Sequence, residues 1–234
     1  MPDKHLSSQF DSDLTQICAQ VMAMGGLVET QIMHAMQAVN EFDLAAAAAV
    51  IDNEARVNLY EIEIDEACSN IIALRQPAAR DLRLLMAISK MIANLERAGD
   101  EVMKIGRRIK AIIEAGNGRL LNTAEIRHSG QLAASILRNA LDAFARLDIA
   151  AAVQILHDDR AIDDEFDAFV RKLVTYMMEN PRTIGVGLDY LFIAKAIERI
   201  GDHAKNIAEF VIYIVKGTDV RHLPSESLER AALG

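Results

Sequence analysis

Glu96-Arg97-Ala98-Gly99-Asp100 and Glu198-Arg199-Ile200-Gly201-Asp202 are two near-copies of one segment, and they decide how this sequence is organised. The second copy begins 102 residues after the first. The same offset relates another set of acidic pairs, Glu61/Asp65 and Asp163/Asp167. The chain therefore contains an internal duplication, and each copy carries two acidic pairs in which the acids stand four residues apart.

The composition favours helices in both copies. Of the 234 residues, 51% are hydrophobic but only 5% are aromatic, and tryptophan is absent. The apolar residues are mainly Ala, Leu, Ile, Val and Met, a mixture that suits helices better than sheets. The four prolines stand at positions 2, 77, 181 and 224, so long stretches contain no helix breaker.

The positions of capping residues, prolines and glycines along the chain predict six long helices. Three lie in the first half, over about 8–41, 44–75 and 77–115, with Asp43 as an N-cap of the second. Three lie in the second half and begin near 123, 148 and 181, the last ending at Gly217. Short joints force consecutive helices to pack antiparallel. We predict an all-α fold of two tandem, pseudo-repeated, antiparallel three-helix bundles over residues 1–116 and 117–218, with a loose C-terminal tail over 219–234.

Charge and cysteine content limit the functional classes. The formal net charge of −9 argues against nucleic-acid binding, because neutralisation of phosphates drives that affinity. Cys18 and Cys68 fit a reducing compartment and do not suggest a disulfide framework. The sequence shows neither a signal peptide nor an apolar run long enough to span a bilayer. We expect a cytoplasmic protein that meets a membrane only through its partners.

The repeated acids are candidate metal ligands. An acidic pair at i and i+4 places two negative charges on one helix face, at a cost of roughly 0.2–0.5 kcal/mol that burial increases. Two facing helices with such pairs supply four carboxylates, an oxygen environment that suits hard cations as well as Mn and Fe. Such pairs also arise by chance among 34 acidic residues, so their equivalent placement in both repeats is the significant observation. The predicted ligands are Glu61, Asp65, Glu96, Asp100, Asp163, Asp167, Glu198 and Asp202.

Three interpretations of these acids stay open on the residues alone. They are the metal sites of a non-enzymatic protein, the centre of a di-metal hydrolase or oxidase, or a structural polar network with Arg97 and Arg199 on a metal-free scaffold. The sequence contains no nucleophile elbow, phosphate-binding glycine loop or zinc protease motif, so nothing in it argues for catalysis. Gly99 and Gly201 stand inside predicted helices at a cost of about 1 kcal/mol each, which indicates a close approach of a neighbouring helix or of a ligand.

The motifs of this chain resemble those of the PhoU family, the phosphate-transport accessory proteins and phosphate-regulon regulators of bacteria. The two Glu-Arg-x-Gly-Asp segments carry the resemblance, and Ala98 stands where Ile is usual. Three further stretches support it: Arg75-Gln76-Pro77-Ala78-Ala79-Arg80-Asp81-Leu82-Arg83, Leu141-Asp142-Ala143-Phe144-Ala145-Arg146 and Tyr213-Ile214-Val215-Lys216-Gly217.

The resemblance implies a fold, a function and partners. The fold is a pair of three-helix bundles with metal clusters held by Glu/Asp-x-x-x-Asp motifs, although the metal (Mg, Mn, Fe or Zn) does not carry over. The function is non-enzymatic negative regulation of the phosphate regulon and restraint of phosphate uptake. The implied partners are the ATPase subunit of the phosphate ABC transporter, the regulon's membrane sensor histidine kinase and a second copy of the chain. Through them the protein is expected at the periphery of the inner membrane.

Overall fold

The computed structural model describes residues 8–116, 123–221, 223 and 225–233, and the regular structure within these residues is helical. A short 3-10 turn occupies Pro181–Thr183. The α-helices in chain order are α1 (Ser8–Glu41), α2 (Leu44–Asp52), α3 (Glu54–Arg75), α4 (Ala79–Glu114), α5 (Ala124–Arg146), α6 (Ile149–Glu179), α7 (Ile184–Lys216) and α8 (Ser225–Leu233).

Two three-helix bundles make up the architecture, so the predicted all-α fold of two tandem antiparallel bundles is confirmed. The first contains α1, α4 and the α2–α3 pair, and the second contains α5, α6 and α7. Equivalent helices begin in the same way in both bundles. The side chain of Asp43 accepts hydrogen bonds from the backbone N–H groups of Ala45 and Ala46, and that of Asp148 accepts one from Ala151. These caps satisfy N–H groups that the first helical turn leaves without partners.

The helix predicted over 44–75 is not continuous, because it breaks at Asn53 between α2 and α3. Its counterpart α6 runs unbroken from Ile149 to Glu179. The first repeat has three more residues than the second between its capping aspartate and its first acidic pair. Three residues turn a helix by about 300°, so a continuous helix would rotate the acids away from α4 by about 60°. The break absorbs this rotation.

The bundles pack side by side along a seam between α4 and α7. The contacts across the seam join Asn94 to Asn206, Glu101 to Arg199 and Arg108 to Asp189, so the two helices run antiparallel. Around this seam α1, α4, α7 and α5 each contact two of the others and form a central group of four helices. The α2–α3 pair lies on one side of this group and α6 lies on the other.

The chain after Gly217 differs from the predicted loose tail. Gly217 ends α7 with a φ of 76°, as expected of a glycine C-cap. Residues 225–233 then form helix α8, which packs against α6 and buries Leu228 and Ala232. The prediction of a loose tail is therefore wrong for these residues, because a short amphipathic helix gains apolar burial on the second bundle.

Cys18 and Cys68 are free thiols, and Cys68 is buried in the core of the first bundle. Burial raises the pKa of Cys68 to about 12, which fits a packing residue.

Among the described helices, none combines the length and the apolar character that crossing a bilayer requires.

Candidate metal centre

The first acidic cluster lies between α3 and α4. The spacing of four residues places Glu61 and Asp65 on one side of α3, and Glu96 and Asp100 on one side of α4. Burial raises the pKa of Glu61, the charges of Asp65 and Asp100 raise it further, and Arg97 acts against them. Burial also raises the pKa of Glu96, with Asp100 and Glu61 adding to the effect. The four predicted ligands of the first bundle therefore lie within electrostatic reach of one another.

The carboxylates of this first cluster lack cationic partners at contact distance. Among the described residues, no lysine or arginine nitrogen forms an ion pair with Glu61, Asp65, Glu96 or Asp100. The one side-chain hydrogen bond to the cluster that the structure gives comes from Ser89, whose Oγ donates to Asp65 Oδ1 over 2.6 Å. The first cluster thus concentrates negative charge that no ion pair at contact distance neutralises within the described residues.

The second cluster lies between α6 and α7 and contains an acid that the motif did not include. Burial raises the pKa of Asp163, and the charges of Asp159 and Glu198 raise it further. Burial also raises the pKa of Asp202, with Glu198 and Asp159 again the main neighbouring charges. Asp167 lies one turn further along α6 and is not among the charges that act most strongly on the pKa of Asp163 or Asp202. The structure therefore groups Asp159, Asp163, Glu198 and Asp202 at the centre of this cluster.

Two lysines of α7 enter the second cluster. Lys195 Nζ lies 2.6 Å from Glu198 Oε1, and Lys205 Nζ lies 2.9 Å from Asp159 Oδ2. Both lysines oppose the rise in the pKa of Asp163. The second cluster thus contains two ammonium groups, one paired with the repeated acid Glu198 and one paired with the additional acid Asp159.

Asp159, Lys195 and Lys205 are the residues that sequence reasoning missed. The prediction used the positions at which the two repeats agree, whereas these three stand where the repeats differ. A position-by-position comparison at the offset of 102 would have drawn attention to them. In a duplicated protein, the differences between the copies also carry information about the site.

The repeated glycines allow close helix packing behind the acids. A Cβ on Gly99 would lie 3.4 Å from a methyl of Val57, and one on Gly201 would lie 2.8 Å from Ile162 Cδ1. The neighbour at each glycine is therefore a side chain of α3 or α6. Of the two explanations open on sequence, the close approach of a neighbouring helix is the one that the structure supports.

The donor chemistry of the first cluster fits a hard divalent cation. Four carboxylates supply oxygen ligands, and a cation would relieve a repulsion that no contact ion pair offsets. In the second cluster one oxygen of Glu198, Oε2, is buried without a hydrogen-bond partner, but Oε1 is bound to Lys195. Among the described residues, no three His, Cys, Asp or Glu side chains converge closely enough to form a metal-binding group. Metal binding at the predicted ligands stays a prediction, and the first cluster is the better match for it.

Comparison with known proteins identifies the relatives of this two-bundle architecture. The sequence profile of the family described as PhoU domain matches residues 21–109 and 126–211, one match in each bundle. A Burkholderia sp. protein named phosphate-specific transport system accessory protein PhoU homolog is 56% identical over 234 residues, which is 100% of both chains. The phosphate-specific transport system accessory protein PhoU of Escherichia coli (strain K12) is 47% identical over 234 residues, covering 99% of this chain and 95% of that relative.

A solved structure shows the same fold. The crystal structure of PhoU from Pseudomonas aeruginosa superposes with a TM-score of 0.86 at 44% sequence identity. The superposition covers 89% of this chain and 100% of that chain. Similarity therefore extends over both bundles.

Proposed function

The chain belongs to the PhoU family, and we propose that it is a regulatory accessory protein of a phosphate-specific transport system. The observation that carries this proposal is the full-length identity of 56% to a relative named for that role, with both repeats included. In this role the protein represses the phosphate regulon and restrains uptake through the phosphate ABC transporter when phosphate is plentiful.

The proposed partners are the ATPase subunit of the transporter and the membrane sensor histidine kinase of the regulon. Coupling of these two membrane systems requires a protein that reaches the inner membrane through its partners. The names of the relatives support the association with a transporter, because they describe accessories of a transport system. A homodimer in the cytoplasm is part of the same proposal and can be checked by light scattering.

Deletion of the gene tests the regulatory role. In phosphate-rich medium, the deletion strain should express phosphate-scavenging genes constitutively, measured as alkaline phosphatase activity. Expression of the chain from a plasmid should restore repression. Normal repression in the deletion strain would contradict the proposal.

We propose that the protein has no catalytic activity of its own. The relatives are named as accessory proteins, which supports regulation over the alternative of a di-metal hydrolase or oxidase. Assay of the metal-loaded protein against phosphate esters is the direct test. Turnover that disappears in the Asp100→Ala variant would favour the hydrolase instead.

A divalent metal ion in the first cluster completes the proposal. Glu61, Asp65, Glu96 and Asp100 would hold it, and it would supply positive charge between α3 and α4 rather than reactive chemistry. Elemental analysis of protein purified without chelator tests this site, from cells supplied with Mn and Fe. Metal should be present in the wild type and absent from the Asp100→Ala variant.

A further inference from the structure

The acidic clusters of the two repeats differ at the positions that flank the shared carboxylates. Lys195 of the second repeat corresponds to Ala93 of the first, and Lys205 corresponds to Met103. Both substitutions introduce a cation on the cluster side of α7. The first cluster has neither cation.

Lys195 contacts both Glu198 and Phe166, and Phe166 has no aromatic counterpart in the first repeat. Its Nζ lies 2.6 Å from Glu198 Oε1 and 5.3 Å from the centroid of the Phe166 ring. The first repeat has Ile64 at the position of Phe166. An aromatic face attracts an ammonium group, so Phe166 favours the conformation in which Lys195 meets Glu198.

Lys205 pairs with Asp159, an acid that has no acidic counterpart in the first repeat. Its Nζ lies 2.9 Å from Asp159 Oδ2, and the Asp159 side chain is only 3% exposed. The first repeat has Val57 at the position of Asp159. A buried carboxylate needs a fixed cationic partner, so Asp159 and Lys205 form one unit that replaces the apolar pair Val57 and Met103.

We propose that Lys195 and Lys205 take the place of a metal ion in the second bundle, so that metal binding is confined to the cluster of the first bundle. A divalent cation entering the second cluster would have to displace ammonium groups from the carboxylates and remain close to them. The confinement to the first bundle rests on the metal site proposed above, whereas neutralisation by the two lysines does not. Two measurements separate these parts.

The first measurement uses metal-free protein in the presence of chelator. Two matched variants remove equivalent charges: Glu96→Gln/Asp100→Asn in the first cluster and Glu198→Gln/Asp202→Asn in the second. The first variant relieves repulsion and should raise Tm by about 3 °C. The second takes from Lys195 the carboxylate that it contacts and from Lys205 a neighbouring negative charge, and should lower Tm by about 3 °C. Shifts of the same sign in both variants would overturn the replacement of metal by lysine.

The second measurement is Mn²⁺ binding by equilibrium dialysis and elemental analysis. Wild-type protein should bind Mn²⁺, Glu96→Gln/Asp100→Asn should lose it, and Glu198→Gln/Asp202→Asn should keep it. Asp159→Val/Lys195→Ala/Lys205→Met converts both lysines, and the acid that pairs with Lys205, to their first-repeat counterparts and should about double the bound Mn²⁺, because the second cluster then resembles the first. Lys110→Ala/Lys172→Met is the control, since it removes two lysines that pair with acids outside the clusters.

The outcomes distinguish the two proposals. Equal loss of Mn²⁺ from both acid variants would overturn confinement to the first bundle and leave the proposed first site intact. Absence of Mn²⁺ from every protein would overturn both the proposed metal site of the first bundle and the confinement of metal to it. The comparison of Tm values in the presence of chelator would still decide the role of the lysines. Unchanged binding after lysine removal would overturn the inference that these lysines exclude metal.

Discussion

The two bundles share a backbone plan but neutralise their acids differently. In the first, Glu61, Asp65, Glu96 and Asp100 face one another without an ion pair from the described cations. In the second, Lys195 and Lys205 bind Glu198 and Asp159 directly. Duplication has thus preserved the positions of the carboxylates more strictly than their electrostatic surroundings. A motif found in both repeats is therefore a guide to geometry, and its chemistry must be established in each repeat separately.

The largest expected effect comes from breaking the pair that only the second bundle contains. Asp159→Val should lower the free energy of unfolding by about 2 kcal/mol. This is less than the roughly 3–5 kcal/mol expected for a fully buried pair, because the Lys205 side chain is 36% exposed. Asp159→Val/Lys205→Met installs the apolar pair of the first bundle and should recover most of the loss. Urea unfolding monitored by circular dichroism measures both variants.

A neighbouring position supplies the control for this prediction. Asp158 accepts a hydrogen bond from Gln154 and lies outside the cluster. Asp158→Val should cost less than about 0.5 kcal/mol. If the double variant at 159 and 205 were no more stable than Asp159→Val alone, the two residues would not act as one unit.

The seam between the bundles is asymmetric, and Asn94 tests that asymmetry. Its Oδ1 accepts a hydrogen bond from Asn206 Nδ2 over 3.0 Å and lies 3.2 Å from His203 Nδ1. The second repeat has Ala196 at the equivalent position. Asn94→Ala should lower the free energy of unfolding by about 1–2 kcal/mol, because polar groups of α7 lose their partner.

Asn70 provides a comparison on an exposed face of α3. Asn70→Ala should change the free energy of unfolding by less than about 0.5 kcal/mol in the same urea titration. Equal effects of the two substitutions would show that the seam contributes nothing through Asn94.

The two repeated glycines should respond to alanine with opposite signs. Gly99→Ala adds a methyl at ordinary contact distance from Val57 and should stabilise the protein by up to about 1 kcal/mol through helix propensity. Gly201→Ala places a methyl 2.8 Å from Ile162 Cδ1 and 3.1 Å from Asp159 Oδ1, and should destabilise by about 1 kcal/mol. Thermal unfolding of both variants checks the signs, and a stabilised Gly201→Ala protein would contradict the packing argument.

The smallest difference is expected at the helix caps. Asp43 accepts hydrogen bonds from two backbone N–H groups, over 2.8 and 3.2 Å, whereas Asp148 accepts one over 3.0 Å. Asp43→Ala and Asp148→Ala should each cost about 1 kcal/mol, with the first variant less stable by a few tenths. Asp→Asn at each site should retain most of the cap, and a larger loss at Asp148 would reverse the expected order.

Local signals in the sequence predicted much of this fold. The end of α1 at Glu41, the N-cap at Asp43 and the C-cap at Gly217 all follow from residues within one turn of the feature. The break at Asn53 was missed because it depends on a difference in length between the repeats. That difference becomes meaningful only when both helices are placed against their partners.

The candidate site was predictable in its carboxylates and not in its charge balance. A spacing of four residues places Glu198 and Asp202 on one helix face, and a single short segment of the sequence is enough to predict this. The pairing of Lys205 with Asp159 spans 46 residues and depends on how α6 packs against α7. The seam between α4 and α7 is a similar case, because Asn94 and Asn206 come together only when the two bundles are packed.

The break at Asn53 also shows how the repeats diverged after duplication. Both repeats descend from one unit, so one of them has gained or lost three residues since the copying event. Within an unbroken helix, such a change would have moved the acids of α3 away from those of α4. The interruption at Asn53 lets the first repeat contain three more residues and still place its acids against α4, so the position of the acids does not require a continuous helix.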